Sequence, residues 1–306
     1  MAGDPNWSSV SLLLHGEALV DSSPTPKTLT AGGNAAVSAA QKKFGGGSLA
    51  FDGSGDVIST PMSSAFYLSA SGATIEAFVY IAADSAADGS GSRRAGIVGT
   101  SNNGSTAEFG LMIDGDAGIT GTGLILEWRN AAGTTQYRGA NCSISKNAWH
   151  HIAACVSPSA TVFYLDGVGY SDAALTINVD GPSSGGLWVG RHTNFAPWER
   201  YLNGYIDELR ITKGVARYTA DFTPPTAPHP DGMGQVSGAV ASNGAAAVRT
   251  VRAYRRDTGA MVANTTSDAA GAYSFYTPTL DELSVICLDD AAGTLENDKI
   301  LRVIPA

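Results

Sequence analysis

Between residues 191 and 201 the chain reads Arg-His-Thr-Asn-Phe-Ala-Pro-Trp-Glu-Arg-Tyr. Two arginines, a histidine, an asparagine and three aromatic rings in so short a run are recognition groups. Aromatic faces stack on the apolar side of a ligand such as a sugar, while Arg, Asn and Glu reach its hydroxyls. Arg191, His192, Asn194, Trp198 and Tyr201 are therefore candidate ligand-binding residues. A second group is Glu127, Trp128, Arg129 and Tyr137. Strand alternation would set Trp128 on one face and Glu127 with Arg129 on the other. Trp128 and Arg129 are candidate ligand contacts, although burial of Trp128 and Trp188 in a core is the favoured reading of those two rings.

Groups able to break a bond are harder to assemble. Retaining glycoside hydrolysis needs two carboxylates about 5–5.5 Å apart. Glu76, in Thr-Ile-Glu-Ala-Phe-Val, has no acid at the following alternate positions. Asp207 and Glu208 are adjacent, and regular alternation would point them to opposite faces. His150 and His151 follow Trp149 with no Gly-x-Ser-x-Gly elbow, and one of them is expected to face inward. Cys142, Cys155 and Cys287 are odd in number and fit neither a disulfide framework nor a zinc spacing. Cys155, inside an apolar run, is expected to be a buried thiol, which suits a reducing compartment. The expected chemistry is contact without catalysis.

These residues need short strands to hold them. Apolar and polar positions alternate near residues 10–15, 48–51, 56–59, 73–81, 95–100, 108–113, 123–129, 135–138, 149–157, 160–166, 186–190 and 203–211. Asp166-Gly167 between two apolar runs predicts a type I′ hairpin. In 205–211 the apolar Ile206, Leu209 and Ile211 interleave with charges, which predicts one buried and one wet face. Pro224 and Pro225, followed by Pro228 and Pro230, cannot donate to a ladder, so a domain is expected to end near residue 229.

Composition agrees with an all-β chain. Charged residues make up 15% of 306, and glycine numbers 37, the usage of tight turns between strands. The net charge of −9 argues against a sequence-independent grip on nucleic acid, which takes clustered Lys and Arg. No basic leader with an apolar run, and no span suited to membrane insertion, is apparent in the sequence.

Ser9 to Glu17 (SVSLLLHGE), Lys43 to Asp56 (KFGGGSLAFDGSGD), Thr74 to Ile81 (TIEAFVYI), Asn147 to Val156 (NAWHHIAACV) and Leu202 to Pro225 together resemble a known family. They are similar to the laminin-G-like, concanavalin-A-like jelly-roll modules of bacteriophage tail and other virion proteins. The resemblance implies a jelly-roll β-sandwich over residues 1–229. Residues 230–306, with Asp257-Thr258-Gly259 turning one hairpin and Gly271 preceding Ala272 to Tyr276, resemble a carboxypeptidase-regulatory or transthyretin-like sandwich, a small Ig-like fold. Enzymes of the first fold present Glu-x-Asp-x-x-Glu, which Glu76 does not begin here.

In relatives of this fold an acid on the closing strand, matched by Asp207, helps to hold a structural calcium against an N-terminal segment whose candidate acid is Glu17. The competing reading is that Asp207 accepts backbone hydrogen bonds or pairs with Arg210 or Arg217. The resemblance implies a virion protein made in the bacterial cytoplasm without a signal peptide, homo-oligomeric, with a host-surface glycan as its partner. The alternative is a structural or decoration subunit whose loops pack against other virion subunits, and a sandwich lyase or hydrolase ranks third.

Overall fold

The computed structural model describes residues 3–68, 72–87, 91–101, 109–115, 123–129, 134–173, 185–192, 199–232, 234–242, 244–277, 282–288 and 299–305. The chain divides into two compact units, Ser8–His229 and Met1–Trp7 with Pro230–Ala306. No helix among the described residues is long and apolar enough to cross a membrane.

The first unit begins with strands β1 (Val10–Leu14), β2 (Thr30–Gly32), β3 (Ala36–Ser38), β4 (Ser48–Asp52) and β5 (Val57–Pro61). Next come β6 (Ala73–Ile81), β7 (Arg94–Ser101), β8 (Phe109–Asp114), β9 (Gly123–Arg129), β10 (Thr135–Asn141) and β11 (Trp149–Val156). It closes with β12 (Ala160–Leu165), β13 (Val168–Ala173), β14 (Gly186–Val189), β15 (Arg191–His192), β16 (Arg200–Tyr201) and β17 (Asn203–Lys213). Strands β2 and β3 are too short and exposed to leave an alternating signature in the sequence.

One sheet runs β13-β12-β11-β6-β17-β4-β3 with β1 added on β17, and the other runs β10-β9-β8-β7-β14-β5-β2. Leu49, Ile75, Val79 and Ile206 of the first meet Leu111, Leu126, Trp128 and Leu187 of the second in one core. Burying each such side chain contributes about 1.5–3 kcal/mol. The result is an all-β jelly-roll sandwich. At the β12–β13 hairpin Leu165 pairs with Val168, and Asp166 (φ 50) and Gly167 (φ 83) supply the two positive φ angles of a type I′ turn.

The charges of β17 do not form a wet face. Asp207, Glu208 and Arg210 are all buried, for two reasons. First, residues 41–46 and 214–229 lie over the side of the sheet turned away from the core. Lys43 and Phe44 pack on Phe78, while Tyr218 and Phe222 pack on Tyr164 and His151. Second, the register against β6 slips between Asp207 and Arg210, where Glu208 takes φ +51. This bulge breaks the alternation that would set Asp207 and Glu208 on opposite faces. The Glu208 carboxylate instead meets His15 Nδ1 (2.9 Å) and accepts the His229 N–H (2.8 Å).

Beneath residues 214–229 lies Glu76, fully buried. It accepts from Arg210 Nε (2.9 Å) and the Tyr218 hydroxyl (2.6 Å), and His151 Nε2 sits 3.3 Å away. Burial pushes this carboxyl up, but the neighbouring charge, Arg210 foremost, outweighs it and holds the group well below the carboxylate range. His151 is thus buried on the face turned away from the core, beneath Phe222, while His150 bonds Ser145 and Asp166. Cys155 is a buried free thiol whose pKa burial pushes up to about 11, so it is inert.

The second unit holds β18 (Gly234–Ala239), β19 (Ala241–Ser242), β20 (Ala245–Ala246), β21 (Thr250–Arg255), β22 (Met261–Thr266), β23 (Ala272–Thr277), β24 (Leu283–Cys287) and β25 (Lys299–Val303). A sheet of order β22-β21-β24-β25 and the pair β18-β23 enclose Val236, Val251, Tyr273, Phe275, Leu283 and Val285. Gly271, at φ +78, presses on the Val240 carbonyl so tightly that a Cβ would clash.

His229 sets a pH dependence. Burial, only partly opposed by Glu76, lowers its pKa from 6.5 to about 3. An unfolded chain therefore takes up a proton that the folded one refuses, so this stability is full above pH 6.5 and declines as pH falls toward 3. The slope approaches about 1.4 kcal/mol per pH unit. Urea unfolding at stepped pH should show a shallower acid decline in His229→Gln than in the wild type. Parallel curves would contradict the assignment.

Candidate functional site

The face of the seven-stranded sheet turned away from the core carries the recognition segment. Its floor is glycine. A Cβ on Gly96 would strike the His192 backbone, and one on Gly110 would strike the His192 ring. Only the bare backbone of β7 and β8 lets the β15–β16 ribbon lie this close. The ribbon is tied down at its base, where Gly190 N–H bonds Ile97 O (2.9 Å) and Leu202 N–H bonds Gly190 O (2.9 Å). Leu202 is itself fully buried in the core.

Cross-strand pairing sorts the ribbon's side chains. Arg191 opposes Tyr201, and His192 opposes Arg200. His192 and Arg200 turn inward and are buried. Arg200 Nη1 lies 3.6 Å, and His192 Nε2 3.8 Å, from Glu127 Oε2 on β9. Burial lowers the His192 pKa, with Glu127 opposing, so its ring is neutral near neutral pH. Tyr137, opposite Glu127 on β10 and 45% exposed, bonds that carboxylate. Arg94 and Asp114, 3.8 Å apart, extend the buried charges along the same sheet.

Arg191 and Tyr201 turn outward. The Arg191 guanidinium lies 4.5 Å from the Trp188 ring centre and 5.1 Å from that of Tyr201, and its Nη2 bonds Glu199 at 2.6 Å. A flexible cation is thereby fixed over two aromatic rings and tied to a carboxylate.

The sequence candidates fall into separate places. Arg191 and Tyr201 come together on the outer side of the ribbon, His192 is corrected because it is buried beneath the ribbon against β8 and cannot meet a ligand, and Asn194 and Trp198 lie outside the described residues. Trp128 is corrected. It is fully buried between the sheets, stacked on Phe109 at 5.8 Å, and cannot meet a ligand. Trp188, expected in the core, is half-buried on the outer face under Arg191. Arg129 ends β9, and its side chain lies outside the described residues. Sequence reading missed Arg200 as an inward partner of Glu127, because Arg191 and Arg200 are of the same type and only the pairing of β15 with β16 tells them apart.

Asp207, on β17 of the other sheet, and Glu17, in the bend after β1, meet one loop. Asp207 Oδ2 accepts the N–H groups of Lys43 (2.8 Å) and Phe44 (3.1 Å), and Glu17 Oε1 accepts that of Gly46 (3.0 Å). Burial pushes the Asp207 carboxyl up to about 6 against the pull of these amides. Arg210 and Arg217 turn to Glu76 instead. Asp207 Oδ1 is buried without a hydrogen-bond partner among the described residues, an orphan that an oxygen-seeking cation would satisfy. No cluster of three or more His, Cys, Asp or Glu able to hold a metal occurs among the described residues.

Residues 52–217, more than half of the chain, match the family model of the concanavalin A-like lectin/glucanases superfamily, of laminin G type. Among solved structures the chain is similar to domain 4 of AbnA, a GH43 extracellular arabinanase from Geobacillus stearothermophilus, in complex with arabinotriose. Identity is 19%, over 67% of this chain and 93% of that one, with a TM-score of 0.49. The binding domain of Paraclostridial Mosquitocidal Protein 1 is similar at 12% identity, over 97% and 73%, with a TM-score of 0.49. The binding domain of botulinum neurotoxin serotype G is similar at 12% identity, over 96% and 70%, with a TM-score of 0.46. No curated protein matches the chain.

The glycine floor is open to test by one methyl group. Gly110→Ala should destabilise the protein by about 1–3 kcal/mol by pushing on His192. Gly46→Ala, with nothing within 4 Å of the added carbon, should leave stability unchanged or slightly raised. Equal unfolding midpoints for the two variants would show that the ribbon does not rest on β8.

Proposed function

The chain belongs to the concanavalin A-like lectin/glucanases superfamily, and from that premise we propose that it binds a glycan through the β15–β16 ribbon and does not cleave it. The observation that carries this reading is Arg191 held against both Trp188 and Tyr201. Such a surface stacks on the C–H face of a sugar and offers guanidinium donors to its hydroxyls. The connecting residues add Asn194 and Trp198 to the same segment in sequence. Absence of catalysis is supported by Glu76 and Glu127, both fully buried beside arginine. A general acid needs access to a glycosidic oxygen.

In this reading the protein is a tail-associated component of a bacteriophage virion, as the five sequence motifs imply. It is made in the host cytoplasm and multiplies weak sites by homo-oligomerisation. The second unit is a transthyretin-like spacer. A structural or decoration role, in which the loops pack against other virion subunits, is the second reading. Calcium, held by Asp207 with Glu17 and carbonyls of the 43–46 loop, would tie that loop to the closing strand.

Two measurements test these proposals. Oligomeric protein on an array of bacterial surface polysaccharide fragments should bind at least one glycan, and Tyr201→Ala should weaken that binding about tenfold. A blank array, or a variant that binds as well as the wild type, would remove the ribbon from this role. For the metal, calcium at a hundredfold excess over its Kd should add about 2.7 kcal/mol of stability, reversed by chelator. An unchanged melting temperature would dismiss calcium.

A further inference from the structure

The eight-stranded sheet has its own uncovered patch. Residues 41–46 and 214–229 lie over its outer face around Phe78, His151, Glu76 and Tyr164. At the end where β17 starts, three aromatic side chains stand opposite one another on adjacent strands. Tyr205 of β17 pairs with Tyr80 of β6, and Tyr80 pairs with Trp149 of β11. All three are half-buried. Their ring centres are 5.8 and 5.7 Å apart with planes at 77° and 58°, so the row is corrugated and a ligand ring would stack on one of them at a time.

Tyr205 also lines a cavity of about 290 Å³ whose polar groups are Asn34, Asp52, Asp56 and Asn203. These groups are held in place. Asp52 accepts from Asn34 Nδ2 (3.1 Å) and the Ser54 N–H (2.8 Å), and the turn that carries them is fixed by Asp56, which accepts the Asp52 N–H (2.7 Å). Gly53, at φ +88, presses on Asn203, and a Cβ there would fall 2.9 Å from that side chain.

We propose that this patch is a second saccharide site, taking one uncharged sugar ring against Tyr205 with its hydroxyls shared among Asn34, Asp52 and Asn203. The combination of an aromatic face, two amides and two carboxylates in one concavity matches a ring that is apolar on its faces and hydroxylated at its edge. The volume sits at the lower end of the range for ligand pockets, about 300–1,000 Å³, which suits one ring. The bond from Asn34, then that from Ser54, lowers the Asp52 pKa, so the group is ionised at neutral pH and repels an acidic sugar. The site lies on the opposite sheet from the β15–β16 ribbon and does not depend on it.

The test uses the full chain with maltotriose, cellotriose and mannotriose as neutral probes and trigalacturonate as the acidic one, read by saturation-transfer NMR and calorimetric titration. At least one neutral trisaccharide should bind. Tyr205→Ala and Asn203→Ala should each weaken it about tenfold, the size of one lost stacking or hydrogen-bonding contact. Tyr205→Phe should keep most of the affinity, Tyr201→Ala should keep all of it, and trigalacturonate should bind more weakly. If Tyr205→Ala fails to fold, Asn203→Ala and Asp52→Asn decide the matter. No binding of any neutral probe, wild-type binding in the folded variants, or loss on Tyr201→Ala alone would overturn the proposal.

Discussion

An ionised carboxylate with no access to water, that of Glu76, is the constraint from which much of the first unit follows. Burying such a group costs several kcal/mol unless a cation and hydrogen bonds meet it, and deleting one partner of a buried pair costs about 3–5 kcal/mol. Arg210 and the Tyr218 hydroxyl meet it here. Arg210 can do so only because β17 contains one residue too many. With Ile206 in the core and Asp207 outside, strict alternation would send Arg210 inward and Leu209 and Ile211 outward. The extra residue, Glu208, exchanges those faces, so Leu209 and Ile211 fill the core while Arg210 reaches Glu76. The segment that supplies Tyr218 then excludes water and extends to His229, whose backbone closes on the bulged Glu208 itself.

Much of the architecture was legible because it rests on local chemistry. Asp166-Gly167 marked its hairpin, since few other residue pairs adopt two positive φ angles. The apolar periodicity located the long strands. What alternation could not reveal was coverage. A charged residue on the non-core side of a strand reads as wet unless one knows that another segment lies over it, and the residues that do so here, Tyr218, Phe222 and His229, read as a turn and a proline-rich exit. The bulge was equally hidden, because Glu208 has no sequence mark of a positive φ.

The recognition segment was legible in composition but not in arrangement. Trp128 and Trp188 look alike as tryptophans on apolar strands, yet one faces the core and the other supports Arg191. Likewise, Gly96 and Gly110 fall inside the expected strands near 95–100 and 108–113, and their purpose becomes visible only when β15 and β16 are seen lying on them. Both sheets thus use their outer faces for polar groups. One holds its cations under a ribbon seated on glycine, while the other holds its carboxylate beneath aromatic rings.

The closing segment also has a mechanical meaning. Any pull arriving along the backbone from residue 230 reaches the sandwich first at His229, tied to Glu208, and next at Phe222, whose N–H bonds the Gly167 carbonyl at 3.0 Å. Yielding there would peel back the rings that keep Glu76 dry before β17 itself bore the load. A force applied from that side would therefore let water reach the Glu76 carboxylate before it unzipped the sheet.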